Sequence, residues 1–117
     1  MLNANAALAE LMDLSSGIRC VALLDGNGQP VAATGPDAPL AEQAKALWRA
    51  ADDAARQLGR PPVSQCEVGL PDALVFAVRE RGYSAVAVTA AEATAGLIFY
   101  DLRSTLRSLS DDDDARS

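Results

Sequence analysis

Apolar side chains recur at every third or fourth position in three segments of the chain, and this spacing predicts three helices. The middle segment, 40–58, shows the pattern most fully, because its charged side chains fall on the face opposite its apolar ones. Gly59 and the prolines at 61 and 62 end this helix. The three segments predicted as helices are 3–14, 40–58 and 94–109.

Five shorter segments have the composition of strands and are separated by turn residues. In chain order they are 18–25, 31–34, 63–68, 73–78 and 85–89. The first, fourth and fifth are apolar on both faces, which is typical of strands that helices cover on both sides. The second follows Pro30, which has no N–H to donate to a neighbouring strand, and the third has polar residues on one face. We therefore predict that the second and third strands form the edges of the sheet.

The predicted elements follow one another in the order α-β-β-α-β-β-β-α. Short connections between consecutive strands require antiparallel pairing. The sequence thus predicts a single α/β (α+β) domain over residues 1–109, in which a five-stranded antiparallel sheet lies between helices. From Ser110 onward the chain is polar and includes four consecutive aspartates, so residues 110–117 are predicted to form an acidic disordered tail.

Length, charge and cysteine content narrow the class of protein. The 117 residues suffice for one ordinary domain, and the net charge of −6 argues against a nucleic-acid-binding groove, which needs clustered Lys and Arg. No apolar stretch reaches the length of a membrane span, and residues 1–14 lack the basic start of a signal peptide. Cys20 and Cys66 have no CxxC spacing, so we expect two reduced core thiols. These features predict a cytoplasmic protein that does not insert into membranes.

The glycine-rich stretch Leu23–Gly35, LLDGNGQPVAATG, raises the question of a metal or phosphate site. A calcium loop that starts at Asp25 would require glycine at its sixth position and glutamate at its twelfth, and both positions hold proline. A dinucleotide-binding fingerprint would lead into a helix, and a phosphate loop would end in Gly-Lys-Ser/Thr. Asp-Gly and Asn-Gly are instead preferred in tight hairpins, since they tolerate positive φ. The stretch is predicted to be a hairpin turn.

Candidate catalytic groups are sparse. The chain has no histidine, neither cysteine has a histidine to activate it, and no serine lies in a nucleophile-elbow motif. We therefore predict a protein that is not an enzyme and that uses no cofactor or metal. Arg79 and Arg81 flank a predicted turn, and we interpret them as solvated charges, with an arginine finger that acts on a partner's phosphate as the alternative. Trp48 lies at the margin of the apolar stripe of the second helix, where core packing and an interface anchor both remain open.

The succession of these segments resembles a known family. IRCVALLDGNGQPVAATG is followed by the long amphipathic helix and then by ALVFAV, AVAVT and GLIFYDLR, and this order resembles the roadblock/dynein light chain family, in particular its bacterial MglB-like branch. The resemblance extends over residues 5–109 and implies a fold similar to the longin and profilin-like α/β folds. It also implies a non-enzymatic dimer that binds a Ras-like small GTPase, as a scaffold or regulator in a bacterial signalling or polarity module.

The resemblance further implies where the binding surfaces lie. In family dimers the edge strand after the second helix pairs with its counterpart and the two second helices lie side by side, which corresponds here to segments 63–68 and 40–58. The residues expected at the interface of a homodimer are Leu47, Trp48, Ala51, Ala55, Val63, Gln65 and Glu67. Those expected to contact the GTPase are Lys45, Arg49, Asp52 and Arg56. A heterodimer, a small-ligand sensory module and a structural subunit of a larger assembly remain as alternatives.

Overall fold

The computed structural model describes residues 3–34 and 37–116, with side chains described for 3–34 and 40–109. Its helices and strands are, in chain order, α1 (Ala4–Leu14), β1 (Ile18–Leu24), β2 (Pro30–Ala33), α2 (Asp37–Gln57), β3 (Gln65–Gly69), β4 (Ala73–Glu80), β5 (Tyr83–Ala90) and α3 (Ala95–Arg116). The order of elements predicted from the sequence is therefore confirmed.

The five strands form one antiparallel sheet in the order β2-β1-β5-β4-β3. The hairpins β1–β2 and β4–β5 meet where β1 pairs with β5, and Val21 lies opposite Ala87 in that pair. β1, β4 and β5 are central, as their apolar faces predict, because helices cover both sides of the sheet. β2 and β3 form the two edges, which confirms the assignment made from Pro30 and from the polar face of segment 63–68.

The pleat of the sheet divides the core into two layers, since successive side chains of a strand point to opposite faces. On one face, α1 and α3 cover Phe76 of β4, and this ring makes an edge-to-face contact with Phe99 of α3 at a centroid distance of 5.1 Å. On the other face, α2 covers Ala77 of β4, and Trp48 belongs to this layer. The predicted fold class, a five-stranded antiparallel sheet between helices, is confirmed.

The turn between β1 and β2 is held by one carboxylate. Asp25 accepts hydrogen bonds from the backbone N–H groups of Asn27 and Gln29 at 2.9 and 3.0 Å. Gly28 has a φ of 81°, a left-handed conformation that glycine adopts without strain. The glycine-rich stretch is thus the hairpin turn that the sequence predicts, because its polar side chain bonds the turn's own backbone.

The helices α2 and α3 are longer than the sequence predicts. α2 begins at Asp37 rather than at residue 40. α3 continues to Arg116 and so includes the segment beyond Leu109 for which a disordered acidic tail is predicted. The domain boundary at residue 109 stays a prediction.

No helix within residues 3–34 and 37–116 combines the length and the apolar character that crossing a membrane would require.

β3 begins at Gln65 rather than at Val63, two residues later than predicted. The backbone of Val63 is bonded by two side chains instead. Its N–H donates to Asp52 Oδ1 at 3.3 Å, and its carbonyl accepts a hydrogen bond from Arg79 Nε at 2.9 Å. Residue types alone indicate a strand at this position, but side chains of α2 and β4 take the hydrogen bonds that a neighbouring strand would otherwise use.

Candidate functional site

The outer edge of β3 is a row of backbone groups without a neighbouring strand. In the part of the chain that the structure describes, β3 pairs only with β4. Just before β3, the Ser64 carbonyl accepts a hydrogen bond from the Arg79 N–H at 2.8 Å. Every second residue of an antiparallel pair bonds its partner strand, so the N–H groups of Gln65 and Glu67 point away from β4. An edge of this kind is a template for the strand of another chain.

An apolar groove lies next to this edge, between α2 and the sheet. Among the strands, α2 makes its main backbone approach to β1, which leaves the side near β3 partly open. The groove has a volume of about 260 Å³ and is lined by Leu47 of α2 and by Val75 and Val88 of the sheet. Val68 and Leu70 also line it and are 36% and 45% exposed. We call the edge and the groove together the β3 surface.

The residues expected at a dimer interface divide into two groups. Gln65 and Glu67 are exposed on the edge of β3, and Leu47 lines the groove, so the structure brings these three to the β3 surface. Trp48 and Ala55 are each only 7% exposed, because they are packed within their own chain. They therefore cannot serve as exposed anchors for a second copy, and for Trp48 the core alternative is correct. The other two residues, Ala51 and Val63, are partly buried.

Arg79 joins α2 to the segment that leads into β3. Its guanidinium donates to both carboxylate oxygens of Asp52, with Nη1–Oδ2 at 2.9 Å and Nη2–Oδ1 at 2.6 Å. Its Nε donates to the Val63 carbonyl, and its guanidinium carbon lies 4.2 Å from the centroid of the Trp48 ring. A planar fork that also stacks on an indole is a geometry that arginine provides and lysine does not. The interpretation of Arg79 as a solvated turn charge is wrong, and its use within the chain argues against an arginine finger.

These contacts change the proton affinities of the groups involved. The hydrogen bonds from Arg79 lower the pKa of Asp52 below its ordinary value, and the hydrogen bonds to Asp52 raise the pKa of Arg79. Burial raises the pKa of the Cys66 thiol, which leaves it a weaker nucleophile at neutral pH. Cys20 and Cys66 are both free thiols and partly buried. None of these shifts creates an activated nucleophile or a general base.

The sequence contains a signal for the Arg79 contact. The apolar strand pattern ends at residue 78, which makes Arg79 a turn residue, but β4 continues to Glu80. Val75 and Ala77 pack with the layer beneath α2, and Arg79 continues the same alternation, so it lies on the α2 face. A cation on that face requires an acceptor from α2, since a buried charge without a partner is costly. Asp52 supplies it from 27 residues earlier in the chain.

The cations of α2 that are expected to bind a partner lie along its exposed side. Lys45 lines a second groove of about 470 Å³ between α2 and the β1–β2 and β4–β5 turns, and Arg81 lines the same groove. Arg49 and Arg56 are exposed, and Lys45 and Arg56 form ion pairs with carboxylates of the same helix. Asp52 differs from the other three because Arg79 already occupies both of its oxygens. Three of the four expected residues therefore keep access to a partner.

The β3 surface and the exposed side of α2 carry groups that are suited to binding another protein chain. They offer backbone hydrogen bonds at the edge of β3, apolar contact in the groove and cations along α2. These are the means by which one chain recognises another. Among the described residues, no three His, Cys, Asp or Glu side chains form a group that could hold a metal ion.

Comparison with solved structures identifies the fold. A Roadblock/LC7 domain from Streptomyces avermitilis superposes with a TM-score of 0.76 at 21% sequence identity, over 86% of this chain and 89% of that one. Myxococcus xanthus MglB gives a TM-score of 0.80 at 16% identity, over 96% of this chain and 88% of that one. Profilin II from Acanthamoeba castellanii gives a TM-score of 0.57 at 12% identity, over 93% of this chain and 98% of that one.

At the level of sequence, no family model and no curated protein matches the chain. The likeness to the solved structures nevertheless extends over nearly the whole chain, and it is strongest for the roadblock domain and MglB. The protein therefore has a roadblock/LC7 fold like that of MglB, as the order of its sequence segments predicts.

Proposed function

We propose that this protein is a non-enzymatic dimeric adaptor that binds a Ras-like small GTPase, as a scaffold or as a regulator of its nucleotide state. The observation that carries the proposal is the β3 surface, where a bare strand edge adjoins a partly open apolar groove. Such an edge favours pairing with another chain. The resemblance to the roadblock family, in which the corresponding strands of two copies pair, supports a second copy of this chain as the occupant.

Pairing of two β3 strands would join the two sheets into one. The outward N–H groups of Gln65 and Glu67 would then find acceptors in the partner strand. The two α2 helices would lie side by side, and the partner's helix would cover the groove that Leu47 lines. Val68 and Leu70 would leave water, which favours association in proportion to the apolar area removed from solvent.

A proline in β3 tests the dimer. Glu67→Pro removes an N–H that points outward and leaves the hydrogen bonds to β4 intact, while Glu67→Ala is the matched control at the same site. By analytical ultracentrifugation at about 50 µM, we expect the wild type and Glu67→Ala at twice the monomer mass of 12.2 kDa, and Glu67→Pro at the monomer mass. Val68→Lys, which places a charge in the groove, should also give a monomer. The proposal would be contradicted by a monomeric wild type, or by Glu67→Pro and Val68→Lys variants that are both folded and dimeric.

The exposed side of α2 is the proposed contact for the GTPase. Lys45, Arg49 and Arg56 lie there, and cations at the rim of an interface steer an acidic partner and set its orientation. Asp52 is assigned instead to holding Arg79 in place. The adaptor would act by binding one nucleotide state of the GTPase more tightly than the other, since a ligand shifts an equilibrium only by its difference in affinity.

Calorimetric titration with nucleotide-loaded GTPase tests this contact. A Ras-like small GTPase from the same organism should bind at least tenfold more tightly in one nucleotide state than in the other. Arg49→Glu should weaken binding at least tenfold, whereas Arg60→Glu, an exposed cation beyond the end of α2, should leave it unchanged. Binding that ignores the nucleotide would favour a structural subunit over a regulator. No binding, together with thermal stabilisation by a small metabolite, would favour a sensory module.

A further inference from the structure

The face of the sheet opposite α2 carries a second apolar surface, on α1 and α3. Of the four most exposed large apolar side chains among the described residues, three lie here: Leu14 at the end of α1 is 71% exposed, and Leu97 and Tyr100 of α3 are 63% and 67% exposed. Leu97 and Tyr100 are three residues apart and so lie on the same side of α3. Their exposure is not explained by the β3 surface, which lies at the sheet edge next to α2.

Two adjoining grooves connect these side chains. One, of about 280 Å³, lies between α1 and α3 and is lined by Leu14 and Tyr100. The other, of about 460 Å³, lies at the start of α3 and is lined by Leu14 and Leu97. Leu14 and Asp101 line both grooves, so the grooves adjoin, and we call the two together the α1–α3 channel, which extends from the start of α3 to Ser108. The fourteen helical residues from Ala95 to Ser108 span roughly 20 Å, which is between three and four helical turns.

The channel is acidic. The charged residues that line its two grooves are Glu10, Glu92 and Asp101, and no Lys or Arg is among the described lining residues. Asp101 accepts a hydrogen bond from Ser15 Oγ at 2.5 Å, which fixes its carboxylate between the ends of α1 and α3. Apolar side chains at helical spacing beside carboxylates of one sign complement an amphipathic helix whose polar face is basic.

We propose that the α1–α3 channel binds an amphipathic helical segment of a partner protein, with apolar side chains that pack between Leu14, Leu97 and Tyr100 and with Lys or Arg that face the acidic rim. A second copy of this chain fits poorly, because two such surfaces would bring like charges together in a chain whose net charge is already −6. The channel is separate from the β3 surface and from the α2 cations, so the proposal does not rest on the GTPase or on dimer formation.

A designed peptide tests the channel directly. The probe is a fluorescein-labelled, end-capped helix of about 16 residues with leucines at spacings of three and four and lysines elsewhere. The comparison peptides are a scrambled version and one in which glutamates replace the lysines. By fluorescence anisotropy, we expect the lysine helix to bind at least tenfold more tightly than either comparison peptide, and more weakly as salt rises to about 0.5 M.

Substitutions locate the binding. The double variant Leu97→Ser/Tyr100→Ser should weaken binding at least tenfold, and Glu92→Lys should weaken it several-fold. Leu58→Ser, at an equally exposed leucine after α2, should leave it unchanged. These side chains are exposed, so the variants should fold, as thermal melts would verify. The monomeric Glu67→Pro variant should bind the peptide as the wild type does, which separates this proposal from the dimer.

Three results would overturn the proposal: equal affinity for the scrambled or acidic peptide, an unchanged affinity in the double variant, or an equal loss in Leu58→Ser. A double variant with a smaller oligomer mass than the wild type would assign the channel to self-association instead, and would overturn the proposal as well.

Discussion

Replacing Arg79 with alanine tests how strongly one side chain holds α2 to the rest of the fold. The substitution removes a two-point hydrogen-bonded pair with Asp52, a hydrogen bond to the Val63 carbonyl and a stacking contact on Trp48. Asp52 keeps only the Val63 N–H as a hydrogen-bond donor among the described contacts. The pair is partly accessible, with side-chain exposures of 28% for Arg79 and 31% for Asp52, so its contribution falls between those of exposed and buried ion pairs.

The expected loss is about 2–3 kcal/mol of unfolding free energy, of which about 0.5–1 kcal/mol comes from the cation–π contact. For 117 residues the unfolding entropy is about 0.25 kcal/mol/K, so the melting temperature should fall by roughly 8–12 °C. Arg79→Lys should lie between the wild type and Arg79→Ala, because it keeps the charge and loses the fork.

Urea denaturation followed by tryptophan fluorescence is the assay, since Trp48 is the one tryptophan in the chain and lies beneath the guanidinium. Protein concentration is held constant, because self-association would add to the measured stability. Arg56→Ala is the control: its ion pair with Asp53 is at the surface, with the Arg56 side chain 74% exposed, and its loss should cost less than about 0.5 kcal/mol. If Arg79→Ala changed stability no more than Arg56→Ala does, the structural role assigned to Arg79 would be refuted.

Three further predictions follow from the same structure. Because Arg79 lowers the pKa of Asp52 in the folded protein, the ion pair stabilises the fold fully above the unfolded-state pKa of about 3.9, and this stabilisation is lost as the pH falls through the lower folded-state pKa. The difference in unfolding free energy between the wild type and Asp52→Asn should therefore narrow below about pH 4, and a difference that widens on acidification would contradict this. Burial raises the pKa of Cys66, so iodoacetamide should modify it several-fold more slowly in the native protein than in urea, as followed by mass spectrometry. Deletion of residues 110–117 should change the melting temperature by less than about 4 °C, or about 1 kcal/mol, and a larger drop would place the domain boundary beyond residue 109.

The periodic pattern of the chain was sufficient to predict the type, order and sheet position of the elements. Pro30 marked β2 as an edge, and the two-sided apolar segments marked the central strands, because each of these signals acts within a few residues. The pattern failed at both ends of the Arg79 contact. It began β3 at Val63, where side chains of α2 and β4 take the backbone hydrogen bonds. It ended β4 at residue 78, although Arg79 and Glu80 still pair with Ser84 and Tyr83 of β5.

The candidate site was predictable only in part. The exposed edge of β3, with Gln65 and Glu67, followed from its polar face. The burial of Trp48 could not be predicted from the sequence. A side chain at the margin of an apolar stripe is buried or exposed according to where the helix lies on the sheet. The pattern also did not predict the channel beside Leu97 and Tyr100, because the apolar area that α1 and α3 leave exposed is determined only when the two helices pack together.

The sequence by itself determined which side chains leave water and with what period, and from that came three helices, five antiparallel strands and two sheet edges. The tertiary structure alone decided that Arg79 reaches Asp52, that α2 leaves a groove open beside β3, and that an acidic channel runs between α1 and α3. The physical reason is one of range. Periodicity is a property of a single segment, whereas a contact between distant segments depends on the offset and angle at which they pack, which no segment specifies alone.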